Sequence, residues 1–153
     1  DHLVEQAIAE GYEQIVELAA GLSSRGYLIK QAHPSIHYVE GDLPGMSARK
    51  ADLLDQLGRQ PGHITQPCNI LDESGAYSIE SLLAGLDKSK KTLIITEGLV
   101  NYFDLGTIRS VWSRMAIALK SSIPRISMGK LHRKLLVFSL RANTHCITAR
   151  TKK

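Results

Sequence analysis

The chain has 153 residues, 43% of them hydrophobic, and a formal net charge of +4, which suits a single domain with one core. No apolar run approaches the ~18 residues of a membrane helix, and the opening DHLVEQAIAEGY lacks the basic and apolar blocks of a signal peptide, so we expect a cytoplasmic protein. The two cysteines and six histidines show no zinc-ligand spacing, so a metal site is not expected.

The charge is concentrated at one end of the chain. Residues 1–120 hold 11 Lys+Arg and 15 Asp+Glu, a net of −4, whereas residues 121–153 hold 8 Lys+Arg and no acid. A basic tail is typical of nucleic-acid or membrane-surface contact, but this tail has little aromatic interleaving, which counts against nucleic acid. We predict a folded core over residues 1–120 followed by a basic tail over residues 121–153.

Apolar spacing in the first half predicts helices that alternate with strands. In order, the segments are a helix over HLVEQAIAE, a strand over YEQIVELAA, a helix over RGYLIKQA, a strand over SIHYVEGD and a helix over GMSARKADLLDQLGRQ. Ser23 and Ser24 are suited to cap the second helix. The third helix is predicted to place Leu53, Leu54 and Leu57 on one face.

The second half continues the alternation. It reads as a weaker strand in HITQPCNI, broken by Pro67, a helix in SIESLLAGL, the clearest strand in KTLIITEGL, a helix in LGTIRSVWSRMAIALK, and a weak fifth strand in IPRISMGKLHRKL. The helix LGTIRSVWSRMAIALK carries an apolar stripe of Ile108, Val111, Trp112, Met115 and Leu119. Strands that alternate with helices predict an α/β fold: an open, mostly parallel, Rossmann-like sheet with helices on both faces.

The bend in IVELAAGLSSRGY occupies the place where open sheets of this kind bind ligands, between the first strand and the following helix. A dinucleotide fingerprint requires glycine at positions 19, 21 and 24, where this chain has Ala19, Gly21 and Ser24. A phosphate-binding loop is also excluded, because no GK[ST] follows the bend. Gly21 therefore either contacts a ligand other than a pyrophosphate or only permits the turn.

Two acids near the end of the second strand point to a nucleoside. Glu40 lies 19 residues and Asp42 lies 21 residues after Gly21, which brackets the ~20-residue offset at which an acid meets ribose hydroxyls in such folds. A nucleoside without a pyrophosphate fits both the acids and the bend. S-adenosylmethionine is such a ligand, since it joins adenosine to a cationic sulfonium amino acid.

Four motifs in order carry a family resemblance: VELAAGLSSRGY, YVEGDLP with Lys50 downstream, PCNIL, and IITEGLVNYF. Together they resemble the leucine carboxyl methyltransferase family and its bacterial polyketide O-methyltransferase relatives, over residues 1–120. The strings E-x-D-x-P and T-E-G-L-x-x-Y are the most specific. The resemblance implies a class I methyltransferase fold. It fades near Ser121, which a truncated chain, a shifted reading frame or a different tail would explain.

The first two motifs imply contacts to the methionine and ribose parts of S-adenosylmethionine. Ala19 and Gly21 would lie against the methionine part, with Glu17 supporting the bend. Asp42 is implied as the ribose ligand, with Glu40 as the competing candidate. Arg25 falls where the family often carries an arginine.

The last two motifs imply contacts to the adenine and to the transferred methyl group. Asn69 and Ile70 stand where the family usually has Asp-Leu against the adenine. Glu97 is implied near the methionine moiety and the reaction centre, or else caps the helix that follows it. Tyr102 and Phe103 suit packing as well as substrate stacking.

The implied activity is O-methyl transfer from S-adenosylmethionine to a carboxylate or a hydroxyl, on a small molecule or a protein C-terminus. A carboxylate is already ionised at neutral pH, whereas a hydroxyl requires a general base, and no catalytic residue is assigned. Two other classes stay open: a non-catalytic Rossmann-like binding module, and an RNA methyltransferase that uses the basic tail.

Overall fold

The computed structural model describes residues 2–99, 102–120 and 135–139. The elements alternate along the chain: α1 (His2–Ala9), β1 (Gln14–Leu18), α2 (Arg25–Ala32), β2 (His37–Asp42), α3 (Pro44–Gln56), β3 (His63–Pro67), α4 (Ile79–Ala84), β4 (Thr92–Glu97), α5 (Leu105–Lys120) and β5 (Leu135–Ser139). The predicted alternation is confirmed. Most of the weak strand predicted in residues 123–135 lies outside the described residues.

The strands form one sheet in the order β3-β2-β1-β4-β5. β1 pairs in parallel with β2 and with β4, β2 pairs in parallel with β3, and β5 runs antiparallel to β4. The predicted open, mostly parallel α/β sheet is therefore confirmed. Because β1 to β4 are parallel, their carboxyl ends lie along one edge of the sheet, where such folds bind ligands.

Alternating strand residues divide the core between the two faces of the sheet. On one face, Val16 and Ile94 pack with residues of α4 and α5. On the other face, Ile15 and Leu93 pack with residues of α1 and α2. β1 is buried along its whole length, as expected for a parallel strand covered on both faces.

The third helix is shorter than predicted, but its three leucines lie on one face, as predicted. The helix ends at Gln56, because Gly58 follows in a left-handed conformation (φ 79°) that terminates helices. Leu54 is buried, whereas Leu53 and Leu57 are exposed. All three leucines line one groove between α2 and α3.

The caps of the helices also differ in detail from the prediction. Ser24 occupies the N-cap of α2 but makes no capping hydrogen bond through its side chain. Instead, the Ser23 hydroxyl accepts a hydrogen bond from the Arg25 amide at 3.2 Å. The strand predicted in SIHYVEGD corresponds to β2, and the helix predicted in LGTIRSVWSRMAIALK corresponds to α5. Val111 and Met115 of α5 are buried, as the apolar stripe predicted.

Gly26 lets α2 approach the sheet closely. A Cβ at this position would lie 2.3 Å from a Glu40 carboxylate oxygen, 2.8 Å from the His63 ring and 2.9 Å from the Tyr38 ring. All three side chains are buried, so none can move aside without disturbing the core.

We therefore expect Gly26→Ala to lower the free energy of unfolding by about 1–3 kcal/mol, the usual cost of overpacking. Gly45→Ala is the matched control, because a Cβ there meets no atom within 4 Å in the first turn of α3. Urea denaturation of both variants measures the difference. Equal urea midpoints for Gly26→Ala and Gly45→Ala would show that α2 can move away from the sheet to accommodate the added methyl group.

Candidate nucleoside site

A cleft of about 190 Å³ opens at the carboxyl ends of the four parallel strands. Its walls come from the loop after each strand and consist of Ala19, Asp42, Leu43, Cys68, Asn69, Ile70, Leu71, Leu99 and Phe103. Four of these were predicted site residues: Ala19, Asp42, Asn69 and Ile70. The cleft is mainly apolar, with a single carboxylate among the described residues that line it, which suits a ligand with a flat apolar part and a few polar groups.

The bend after β1 adopts an unusual backbone conformation. Ala19 and Gly21 both have positive φ values, 53° and 54°. Glycine adopts this region freely, whereas it is uncommon for alanine. A Cβ on Gly21 would meet no atom within 4 Å, so its backbone conformation, not crowding, favours glycine at this position. The bend turns the chain away from β1 and leaves Ala19 in the cleft wall.

Asp42 connects the end of β2 to this bend. Its Oδ2 accepts a hydrogen bond from the Gly21 amide at 2.6 Å, and its Oδ1 accepts one from the Leu43 amide at 2.7 Å. The carboxylate is thus held at the mouth of the cleft by two backbone donors. Each carboxylate oxygen has further lone pairs, so Asp42 can accept hydrogen bonds from a ligand in the cleft.

The loop after β3 forms the opposite part of the cleft wall. Asn69 stabilises this loop through its side chain, since its Nδ2 donates to Asp72 Oδ1 at 2.7 Å and its Oδ1 accepts the Leu71 amide at 3.1 Å. Ile70 is buried and packs with the core on the α4 and α5 side of the sheet. Asn69 therefore shapes the wall, and Ile70 gives it an apolar surface.

Three of the predicted residues form a chain of ion pairs beside the cleft. The Arg25 guanidinium donates to Glu17 with one nitrogen and to Glu97 with another, linking α2 to the ends of β1 and β4. Glu17 also accepts a hydrogen bond from the Tyr38 hydroxyl at 2.7 Å. Burial raises the pKa of Glu17, although Arg25 opposes the shift.

Glu97 is the part of this chain that faces solvent. The side chain of Glu97 is 53% exposed, whereas that of Glu17 is 3% exposed. Gly98, with a φ of 74°, bends the chain directly after Glu97, and Leu99 then enters the cleft wall. Glu97 is therefore accessible to a ligand that extends from the cleft, while the buried Glu17 holds Arg25 through an ion pair.

Glu40 lies away from the cleft. Its side chain is 1% exposed and forms an ion pair with Lys50 of α3 at 2.9 Å. The buried His63 ring lies 3.5 Å from the other carboxylate oxygen. Glu40 precedes the end of β2 by two residues and is covered by α2, so the structure does not bring it together with Asp42 at the cleft.

The sequence analysis considered Phe103 for packing or substrate stacking, but it missed four of the lining residues: Leu43, Cys68, Leu71 and Leu99. Each of them follows the carboxyl end of a parallel strand, and this position in the sequence is the signal that could have identified them. Burial raises the pKa of the Cys68 thiol to about 12, so this residue serves as an apolar wall and not as a base or nucleophile. Cys68 is a free thiol.

Within the described residues, no group of three or more His, Cys, Asp or Glu residues has an arrangement that could hold a metal ion. No helix in those ranges has the length and apolar character needed to cross a membrane.

Sequence relatives match most of the folded part of the chain. The profile of the leucine carboxyl methyltransferase family matches residues 1–116. A protein from Mycobacterium sp. (strain JLS), named "Putative S-adenosyl-L-methionine-dependent methyltransferase", is 34% identical over 105 residues, which are 67% of this chain and 32% of the relative. A protein of the same name from Mycobacterium ulcerans (strain Agy99) is 33% identical over 96 residues, or 63% of this chain and 31% of the relative. The chain thus spans about a third of the length of these relatives.

A solved structure shares the fold. The S-adenosylmethionine-dependent methyltransferase SibL, in its apo form, superposes with a TM-score of 0.50 over 90% of this chain and 52% of its own, at 12% sequence identity. That likeness supports the Rossmann-like fold. With the family profile covering residues 1–116, the chain belongs to the leucine carboxyl methyltransferase family.

Proposed function

We propose that this chain binds S-adenosylmethionine in the cleft at the carboxyl ends of β1 to β4, as part of an S-adenosylmethionine-dependent O-methyltransferase. The observation that carries the proposal is the Asp42 carboxylate, which lies at the cleft and is bonded to the Gly21 amide at 2.6 Å. An acid at the end of β2 beside the first bend is the arrangement that receives a ribose diol in Rossmann-like folds. The names of the sequence relatives agree with this cofactor.

The character of the cleft supports a nucleoside without phosphates. The residues that line it within the described ranges include no lysine or arginine, although phosphate groups are usually bound by such side chains or by clustered amides. Ile70, Leu99 and Phe103 present apolar surface instead, which suits the faces of an adenine ring. Asp42 then supplies the polar contact that orients the sugar.

The chain's own residues would bind and orient the methyl donor. S-adenosylmethionine supplies an activated methyl group on a sulfonium, so the protein has only to align donor and acceptor and exclude water. Asp42 orients the ribose, and the apolar wall of Ile70 and Leu99 excludes water. The accessible Glu97 carboxylate, held by Arg25, favours the cationic end of the ligand electrostatically.

We propose a carboxylate or a hydroxyl as the acceptor, on a small molecule or a protein C-terminus. The pKa of Cys68, about 12, makes that thiol unsuitable as a general base at neutral pH. A hydroxyl acceptor would need another general base, whereas a carboxylate needs none. Mild alkali distinguishes the two products, because it cleaves a methyl ester and leaves a methyl ether intact.

Calorimetric titration of the chain with S-adenosylmethionine and S-adenosylhomocysteine tests the proposal. We expect saturable binding of both, and much weaker binding of ATP, whose phosphates find no cradle at the bend. Absence of binding by both sulfur-containing ligands would contradict the proposed function. Tighter binding of ATP would also contradict it and would point to a nucleotide-binding module.

A further inference from the structure

Arg114 reaches from α5 to the loop that forms one wall of the cleft. Its guanidinium donates hydrogen bonds to the backbone carbonyl oxygens of Ile70 and Asp72. Arg114 does not itself line the cleft, whereas Asn69, Ile70 and Leu71 do. The side chain therefore contacts the cleft wall from behind.

Apart from the packing of Ile70 in the core, the loop at residues 69–72 makes few contacts that fix its backbone. It follows β3, which is the edge strand and pairs only with β2 among the described strands. Its remaining bonds are local or lead to the next loop, such as the Asn69 amide to the Tyr77 carbonyl at 2.8 Å and the Asp72 amide to the Asn69 carbonyl at 3.0 Å. Arg114 supplies two hydrogen bonds that tie this loop to a long helix on the same face of the sheet.

The packing of α5 in the core fixes the position of the Arg114 backbone. Val111 and Met115, on either side of it along α5, are buried in the core cluster that also contains Ile70. The guanidinium is planar and presents several donors in a rigid fork, so a single side chain can hold two carbonyl groups at a set separation. Lysine at this position would carry the charge without that geometry.

We propose that Arg114 is a positioning residue, which holds the loop at residues 69–72 in the shape that receives the nucleoside base. The inference rests on the proposed function and extends it, because it assigns control of base binding to a residue outside the cleft. Loss of the two bonds frees the Ile70 and Asp72 carbonyls and lets the wall move. The ligand then has to order the loop when it binds, and affinity falls.

The test compares Arg114→Gln, Arg114→Lys and the matched control Arg109→Gln, which removes an exposed arginine from the same helix. The probe is 5′-methylthioadenosine, which has the adenosine part and lacks the amino acid. We expect Arg114→Gln to weaken its binding about tenfold or more, a loss of about 1.4 kcal/mol or more. We expect Arg114→Lys to recover part of that loss and Arg109→Gln to bind like the parent chain.

A second readout is independent of any ligand. Amide hydrogen exchange at Leu71 and Asp72 should accelerate in Arg114→Gln, while exchange in β1 and β4 stays at the parent level. If Arg114→Gln fails to fold, Arg114→Lys carries the test, since it is expected to lose several-fold in affinity. Unchanged binding of 5′-methylthioadenosine by these variants would overturn the inference.

The result for the parent chain separates this inference from the proposed function. If the parent binds 5′-methylthioadenosine and Arg114→Gln binds it equally well, only the positioning role of Arg114 is wrong. If the parent binds neither this probe nor S-adenosylhomocysteine, the proposed function is wrong and the inference falls with it.

Discussion

Replacing Asp42 with alanine is expected to weaken S-adenosylmethionine binding by about ten- to a hundredfold. A hydrogen bond to a charged group contributes about 1.5–3 kcal/mol, and each 1.4 kcal/mol is a tenfold change in affinity. The substitution removes the proposed acceptor of the ribose hydroxyls. It also frees the Gly21 and Leu43 amides that the carboxylate now holds, so the bend loses its fixed position.

Asp42→Asn separates these two contributions. Asparagine keeps the size of the side chain and one carbonyl oxygen, but it loses the charge and the second acceptor. We expect an intermediate affinity. The control is Asp52→Ala, which removes an exposed carboxylate from α3. Calorimetry with S-adenosylhomocysteine measures all three variants, and parent-like affinity of Asp42→Ala would remove the basis for the ribose assignment.

Lys50→Met is expected to lower the free energy of unfolding by about 3–5 kcal/mol, the usual cost of removing one partner of a buried ion pair. The side chains of Lys50 and Glu40 are 6% and 1% exposed, and Lys50 Nζ lies 2.9 Å from Glu40 Oε1. Without Lys50, the Glu40 carboxylate remains buried between α2 and the sheet. The effect is large because an uncompensated charge in that position has no access to water.

The double variant Glu40→Gln with Lys50→Met should regain much of the lost stability, since it removes both charges. Lys90→Met is the control: Lys90 pairs with Glu13 at 3.6 Å, and both side chains are about half exposed. Such a surface pair contributes about 0–1 kcal/mol. Urea denaturation measures the series, and equal losses for Lys50→Met and Lys90→Met would show that the Glu40 pair is not effectively buried.

The order of the elements was predictable because β1 and β4 are short and rich in apolar residues and the helices carry apolar residues at helical spacing. The bend was predictable too, since an Ala-Gly pair after a buried strand and an acid at the end of the next strand occupy defined places in an open sheet. Ala19, Gly21 and Asp42 were named from the sequence as site residues through the family resemblance, and their contact with the cofactor stays a prediction. The structure brings them together, as the Gly21 to Asp42 hydrogen bond records.

The sequence could not separate Glu40 from Asp42, which lie two residues apart and so share a face of β2. Their environments differ because α2 covers the strand as far as Glu40 and leaves its end open at Asp42. Residues that meet only through tertiary packing gave no local signal. Arg114 is an example, since it lies 42 residues along the chain from Asp72, whose carbonyl it binds.

A crystal structure of this chain with S-adenosylhomocysteine tests the central claim most directly. The claim predicts the ribose hydroxyls within about 3 Å of the Asp42 carboxylate, with the base against Ile70. A nucleoside seated elsewhere, for example in the groove beside Leu53 and Leu57, with Asp42 still bonded only to Gly21 and Leu43, would contradict it.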